Sequence, residues 1–186
     1  MKSILITGGA RSGKSRLALE LTRKLGEPVL FVATAAAGDR EMYERIEKHR
    51  RERPPTWRVL EATSDIGSQI EQIIGDARVV IIDCITMLVG NIFSRHGDQE
   101  FKEINASLLE QEVVAEVTGL VECVRKFDAT FIVVSNEVGL GLVPANERGR
   151  LYRDSLGRAN QMLAGCADEV YLMVAGIPVK IKSPEL

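Results

Sequence analysis

The sequence predicts an α/β fold of three layers, a mostly parallel central sheet with helices on both faces. Three observations carry this. Short apolar runs alternate with segments of helical periodicity along the chain, the pattern of repeated strand–helix units. Two of those runs, Val79-Val80-Ile81-Ile82 and Phe131-Ile132-Val133-Val134, are apolar without a break, as strands buried on both faces must be. Residues 8–15 read GGARSGKS, which fits the phosphate-loop pattern G-x-x-x-x-G-K-[ST].

The elements follow in order. Ser3-Ile4-Leu5-Ile6-Thr7 is a short apolar run closed by glycine, a buried-strand signal. The glycine-rich turn comes next, and residues 16–25 set Leu17, Leu21 and Leu25 at helical spacing. Strand, glycine turn and helix form the context that makes the loop a nucleotide site. Further strands are predicted at residues 29–33, 57–60, 79–83, 130–135, 169–174 and 179–181, and helices at 39–51, 65–74, within 100–126, and at 148–164. The last two strands, joined through Ala175-Gly176-Ile177-Pro178, read as a hairpin at one edge of the sheet. Ligands of such sheets bind beyond the carboxyl ends of the strands, so the loops after Thr7, Ala33, Asp83 and Ser135 are expected to converge.

At 186 residues, without repeats or linkers, the chain reads as a single domain, residues 1–186. Hydrophobic content of 45% and a mean hydropathy near zero fit an ordinary globular protein. A net charge of −2 supplies no general attraction to nucleic acid or membrane, so neither is an expected partner. No apolar run reaches membrane-spanning length and the chain opens directly on a strand, which predicts no signal peptide. Cys84, Cys123 and Cys166 are odd in number, with no C-x-x-C; they read as buried thiols of a reducing, cytoplasmic protein.

The phosphate loop dictates its own chemistry. Backbone N–H groups of Gly8, Gly9, Ala10, Arg11, Ser12 and Gly13 can wrap a phosphate, aided by the positive end of the following helix. Lys14 is expected to reach the β- and γ-phosphates, and Ser15 to offer its hydroxyl to Mg2+. Asp83 closes the strand VVIID; a carboxylate there supports the metal ion, or else caps the next turn. A basic stretch, Lys48-His49-Arg50-Arg51-Glu52-Arg53-Pro54-Pro55, ends the helix begun near Asp39, because the prolines stop propagation. His49 continues the spacing of Met42 and Ile46. Two roles are open to it: a packing or capping residue at a basic helix end, or an imidazole kept neutral and nucleophilic by neighbouring cations. His96 lies in a polar loop. Residues 135–146, SNEVGLGLVPAN, leave a central strand at the ligand-facing end and serve function or simple crossover. Arg150, Arg153, Asp154, Arg158, Asn160 and Gln161 line a polar helix, as a solvated face or a subunit contact.

Along almost its whole length the chain resembles the adenosylcobinamide kinase/adenosylcobinamide-phosphate guanylyltransferase family. GGARSGKS, KHRRERPPTW, IIDCIT, SNEVGLGLVP, YRDSLGRANQMLA and GIPVKIK occur in that family's order. The resemblance implies a RecA-like fold, a homotrimer, and two activities in cobalamin synthesis. The first is phosphorylation of adenosylcobinamide with ATP or GTP. The second is transfer of GMP from GTP to adenosylcobinamide phosphate, giving adenosyl-GDP-cobinamide and pyrophosphate. It implies that His49 carries the GMP, and that nucleotide contacts lie at Gly8 through Ser15, at Thr34, Ala35 and Ala36, at Arg50, Arg51, Glu52 and Arg53, at Glu61 and at Asp83. Some relatives carry two adjacent histidines where this chain has Lys48-His49; with three alanines after Thr34, contacts there fall mainly to backbone. Two other readings stand beside this one: a small-molecule kinase whose arginines clamp phosphates, and a nucleotide switch, for which an N-K-x-D guanine motif is missing.

Overall fold

The computed structural model describes residues 2–36, 40–96 and 106–184; within 40–52 it leaves the side chains of Glu41, Met42, Arg45, Lys48, His49 and Glu52 undescribed. Thirteen elements follow one another among the described residues: β1 (Lys2–Gly8), α1 (Lys14–Leu25), β2 (Val29–Ala33), α2 (Arg40–Glu52), β3 (Arg58–Glu61), α3 (Ile66–Ile73), β4 (Val79–Asp83), α4 (Ile85–Arg95), α5 (Ala106–Lys126), β5 (Thr130–Val134), α6 (Glu147–Cys166), β6 (Glu169–Val174) and β7 (Ile177–Lys182). The seven strands form one sheet in the order β3-β2-β4-β5-β1-β6-β7. Every pairing is parallel except β6 with β7. This is the predicted phosphate-loop architecture. Strand β5 stands between β1, which feeds the loop, and β4, which ends at Asp83.

Period-2 alternation divides each central strand between two cores. Leu5, Leu30, Val32, Val80, Ile82, Phe131 and Val133 meet buried residues of α3, α4, α5 and α6. Ile4, Ile6, Phe31, Ile81, Ile132 and Val134 face the other way, onto Ala18 of α1 and Trp57. Both faces are thus dry, which is why the strands carry no polar alternation.

The segment after Asp83, assigned no element from sequence, is helix α4. It buries Ile85, Leu88, Val89, Ile92 and Phe93. Those five positions follow the i, i+3, i+4, i+7, i+8 spacing of an amphipathic helix, with Thr86, Asn91, Ser94 and Arg95 off the buried stripe. Burial of that stripe holds the helix in place: removing a side chain such as Leu88 or Ile92 from water contributes ~1.5–3 kcal/mol. Helix α3 is capped by tertiary contact, since Glu116 of α5 accepts from the Asp65 and Ile66 amides at 2.8 and 2.9 Å. The other boundaries moved by a residue or two, with β7 starting at Ile177 rather than Val179. The start of α2 at Asp39 and the stretch 97–105 lie outside the described residues. None of the described helices is long and apolar enough to cross a membrane.

Candidate nucleotide site

The loop between β1 and α1 is tied down at its carbonyls. The Glu137 amide donates to Gly8 O at 3.0 Å, the Ser12 amide to Gly9 O at 3.3 Å, and the Leu17 amide to Gly13 O at 3.0 Å. Gly8 has φ 145°, and a Cβ there would stand 2.5 Å from Met173 O, so no other residue fits without backbone movement. Gly13 begins α1 at φ 96° with no side-chain cap, and the first turn holds no acid. The amides of that turn are left for an anion, where the helix dipole favours negative charge.

Lys14 is buried and donates from Nζ to Gly9 O at 2.7 Å. Burial lowers its pKa, and the nearby Cys84 and Asp83 oppose that. A cation that has already lost much of its hydration interacts strongly with phosphate oxygens. The Ser12 hydroxyl is buried without a hydrogen-bond partner among the described residues, while Arg11 is exposed in the left-handed region at φ 55°.

Ser15 and Asp83 line one small pocket together with Ala18, Leu19, Phe31, Ile81 and Arg53. The two residues expected at a metal ion are therefore neighbours, although they stand 68 positions apart in the chain. Arg53 enters this pocket from the end of α2 and lies 3.8 Å over the Phe31 ring. Phe31 in turn stacks on Trp57, with centroids 6.4 Å apart and planes 21° from parallel. Burial lowers the Arg53 pKa and Asp83 opposes it. Its Nε is buried with no hydrogen-bond partner among the described residues. Arg50 is held by Glu47 at 2.8 Å and by Glu61, and the Glu61 hydrogen bond raises its pKa. Arg51 is exposed. His49 occupies the last turn of α2, four positions before Arg53; its imidazole and the side chains of Lys48 and Glu52 lie outside the described residues.

Thr34 departs from expectation. It is fully buried; its hydroxyl donates to Cys84 O at 2.7 Å and accepts from the Cys84 amide at 2.8 Å. Its own amide donates to Asp83 O, and its carbonyl accepts from Asn91 Nδ2 at 2.8 Å. With every polar group engaged and no surface, Thr34 has nothing to offer a ligand; it fixes the backbone next to Asp83. Ala35 and Ala36, half-buried and exposed, remain accessible.

Beyond β5 the chain is braced rather than loose. Ser135 Oγ donates to Asn160 Oδ1 at 2.6 Å, Asn160 Nδ2 to Asn136 O at 3.0 Å, and the Asn136 amide to Thr86 Oγ1 at 2.8 Å. Tyr152 donates to Thr86 O at 3.0 Å, and burial, then Cys84, pushes its pKa to about 12. The Glu137 amide on Gly8 ends this chain of contacts at the phosphate loop. The first residues of the loop after β5 therefore have a positioning role, whereas Leu140 and Leu142 are 85% and 97% exposed. Phe31, Thr86, Asn91 and Tyr152 were given no role from sequence: Thr86 and Tyr152 lie within IIDCIT and YRDSLGRANQMLA, but only the fold gives any of the four its partners. His96 pairs with Glu112 at 3.1 Å, far along the chain from the loop.

Against solved structures, the flagellar accessory protein FlaH from Methanocaldococcus jannaschii superposes with a TM-score of 0.52 at 14% identity, covering 98% of this chain and 79% of FlaH; that likeness concerns the fold alone. Proteins named bifunctional adenosylcobalamin biosynthesis protein CobU are 43% identical in Escherichia coli and 39% in Salmonella typhimurium, each over 96% of this chain and 99% of the relative. A CobP of the same description from Pseudomonas aeruginosa is 37% identical over 98% of both chains. The family model described as cobinamide kinase / cobinamide phosphate guanyltransferase matches residues 4–181, and the chain belongs to that family.

Proposed function

We propose that this protein is the bifunctional enzyme of adenosylcobalamin nucleotide-loop assembly. It phosphorylates adenosylcobinamide at the expense of ATP or GTP, then transfers GMP from GTP to adenosylcobinamide phosphate with release of pyrophosphate. One observation carries the joining of the two reactions: Arg53 reaches from the basic end of α2 into the pocket shared by Ser15 and Asp83. The helix that bears His49 is thereby anchored beside the phosphate loop.

In this reading the amides from Gly8 to Ser15 bind the phosphates and Lys14 lies along the β- and γ-phosphates. Ser15 and Asp83 would hold Mg2+, which would supply charge neutralisation. No group of three His, Cys, Asp or Glu among the described residues could hold a metal ion by itself, which suits an ion that prefers to keep water and substrate oxygens. In the kinase reaction the aminopropanol hydroxyl attacks the γ-phosphorus and the nucleoside diphosphate leaves. In the transferase reaction a His49 nitrogen attacks the α-phosphorus of GTP and pyrophosphate leaves; a phosphate oxygen of adenosylcobinamide phosphate then takes the GMP and frees the imidazole. Arg50, Arg51 and Arg53 offset the charge that gathers on the phosphates. Glu61, Ala35 and Ala36 complete the nucleotide contacts. The protein acts as a single domain, in the cytoplasm, as a homotrimer, with no nucleic-acid partner.

The test is covalent trapping. GTP labelled at the α-phosphate should leave label on the protein that is lost in acid and survives alkali, and His49→Asn should abolish it while preserving phosphorylation of adenosylcobinamide. Absence of the adduct, or its persistence in His49→Asn, removes the transferase step and leaves a kinase.

A further inference from the structure

The hairpin at the sheet's edge is in contact with the phosphate loop, and nothing in the chemistry above uses it. Its turn, Ala175-Gly176, joins the paired residues Val174 and Ile177. Both turn residues have positive φ, 50° and 85°, as a two-residue hairpin turn that matches strand twist requires. The Gly176 amide donates to Ser12 O at 3.1 Å. The Gly176 carbonyl accepts from Arg16 Nη2 at 3.2 Å, across from the first turn of α1. Behind the turn, Met173 O fills the place of a Gly8 side chain, and Met173 Cε and Gly176 Cα lie 3.5 Å from the place of a Gly13 side chain. The loop's two end glycines are therefore moulded against β6 and the turn.

The hydrogen bond to Ser12 has a directional consequence. The Ser12–Gly13 peptide is trans, because the cis bonds lie elsewhere, so its C=O and N–H point in opposite directions. With the carbonyl drawn to Gly176, the Gly13 amide is turned away from the hairpin and into the loop, where an anion is bound. We propose that the β6–β7 turn is a positioning element of the nucleotide site, in which Gly176 holds the Ser12–Gly13 peptide so that the Gly13 amide meets the phosphates. This rests on the nucleotide-binding reading above. The device preorganises a donor before the ligand arrives, which raises affinity without adding a contact.

Calorimetric titration of the full chain with Mg-GTP and with pyrophosphate tests it, beside kinetics of both reactions. The wild type should bind both ligands; if it binds neither, the nucleotide reading itself is wrong. Gly176→Val places a β-branched residue at φ 85° and should weaken both ligands by about tenfold. It should raise KM for the nucleotide in both reactions and leave KM for the corrinoid unchanged. Gly176→Asn, which tolerates positive φ, should restore both affinities to within about twofold. A Gly176→Val protein that does not fold is replaced by Gly176→Ala, for which about threefold weakening is expected. Wild-type affinity in the folded Val or Ala variant, or an equal rise in KM for nucleotide and corrinoid, overturns the proposal.

Discussion

Glu169→Gln gives the most direct check on the electrostatics beneath the hairpin. Glu169 begins β6 and is largely buried, its side chain 9% exposed. Burial alone would raise its pKa. Against that, Lys2 and Lys180 each approach Oε1 at 3.0 Å and the Tyr171 hydroxyl donates to Oε2 at 2.9 Å, and together they hold it at about 2 rather than the ordinary 4.5. Three elements are joined in this way: β1 through Lys2, β6 through Tyr171, and β7 through Lys180. At 1.36 kcal/mol per pKa unit the ceiling on the charge's contribution is about 3 kcal/mol. Both lysines are partly in solvent, 41% and 38% exposed, so screening brings the figure to about 1–2 kcal/mol.

The sign follows from linkage. A carboxylate whose pKa is depressed on folding stabilises the protein fully above its unfolded value of about 4.5, and that stability fades as pH falls toward 2. Glutamine imitates the protonated acid. The assay is urea unfolding of wild type and variant from pH 7 to pH 2.5. At pH 7 the variant should be less stable by about 1–2 kcal/mol, equivalent to roughly 2–8 °C in Tm. The gap should hold to about pH 5 and shrink steadily below it. Carboxylates elsewhere titrate alike in both proteins and cancel from the difference. A gap that is the same at pH 3 as at pH 7 refutes the argument, and so does no gap at neutral pH.

Two further outcomes follow from the site. Thr34→Val leaves the part-buried Cys84 N–H and C=O without their shared hydroxyl and should cost about 1–3 kcal/mol, whereas Thr34→Ser should recover most of it; a valine variant as stable as wild type in urea would contradict the bridging role. Phe31→Leu removes the surface beneath Arg53. A cation–π contact of about 1 kcal/mol corresponds to about fivefold weaker GTP binding, read by titration on the folded variant. Unchanged GTP affinity would mean that Arg53 does not serve the nucleotide from this position.

The chemistry-bearing residues were legible where the chain itself brings them together. The phosphate loop is eight consecutive residues, and its strand and helix are adjacent in sequence, so local pattern sufficed. The two-faced burial of β4 and β5 was equally plain from unbroken apolar runs. Helix α4 escaped although Ile85, Leu88, Val89, Ile92 and Phe93 recur at helical spacing, because they follow almost directly on the apolar run of β4 and the change of period between the two went unread. The supports of the site escaped for a different reason. Phe31 under Arg53, Thr34 on Cys84 and Gly176 on Ser12 are pairs separated by 22, 50 and 164 positions, and no periodicity links them. Thr34 is instructive: the resemblance implied a nucleotide contact there, and the structure shows a buried hydroxyl already engaged with both backbone groups of Cys84, holding the chain beside Asp83.

The two sides of the site are held with unequal firmness, and this bears on how one loop can serve two reactions. On the β1 side, Gly8, Gly9, Ser12 and Gly13 have their carbonyls bound by backbone amides, and the hairpin and β5 loop lie directly behind. On the α2 side the side-chain fastenings to the sheet among the described residues are Arg53 on Phe31 and the Arg50–Glu61 pair. The latter joins side chains 52% and 61% exposed, a setting in which water and salt screen most of the attraction. Arg50 and Glu61, both expected to meet nucleotide, now spend their polar groups on each other. Under the proposed function, phosphate oxygens would compete with Glu61 for Arg50 through the same kind of charge-assisted hydrogen bond, and an exchange would free the Glu61 carboxylate. On the proposed function, the firmly tied loop would be the constant seat for phosphates in both reactions, and the exposed Arg50–Glu61 pair the part free to change between them.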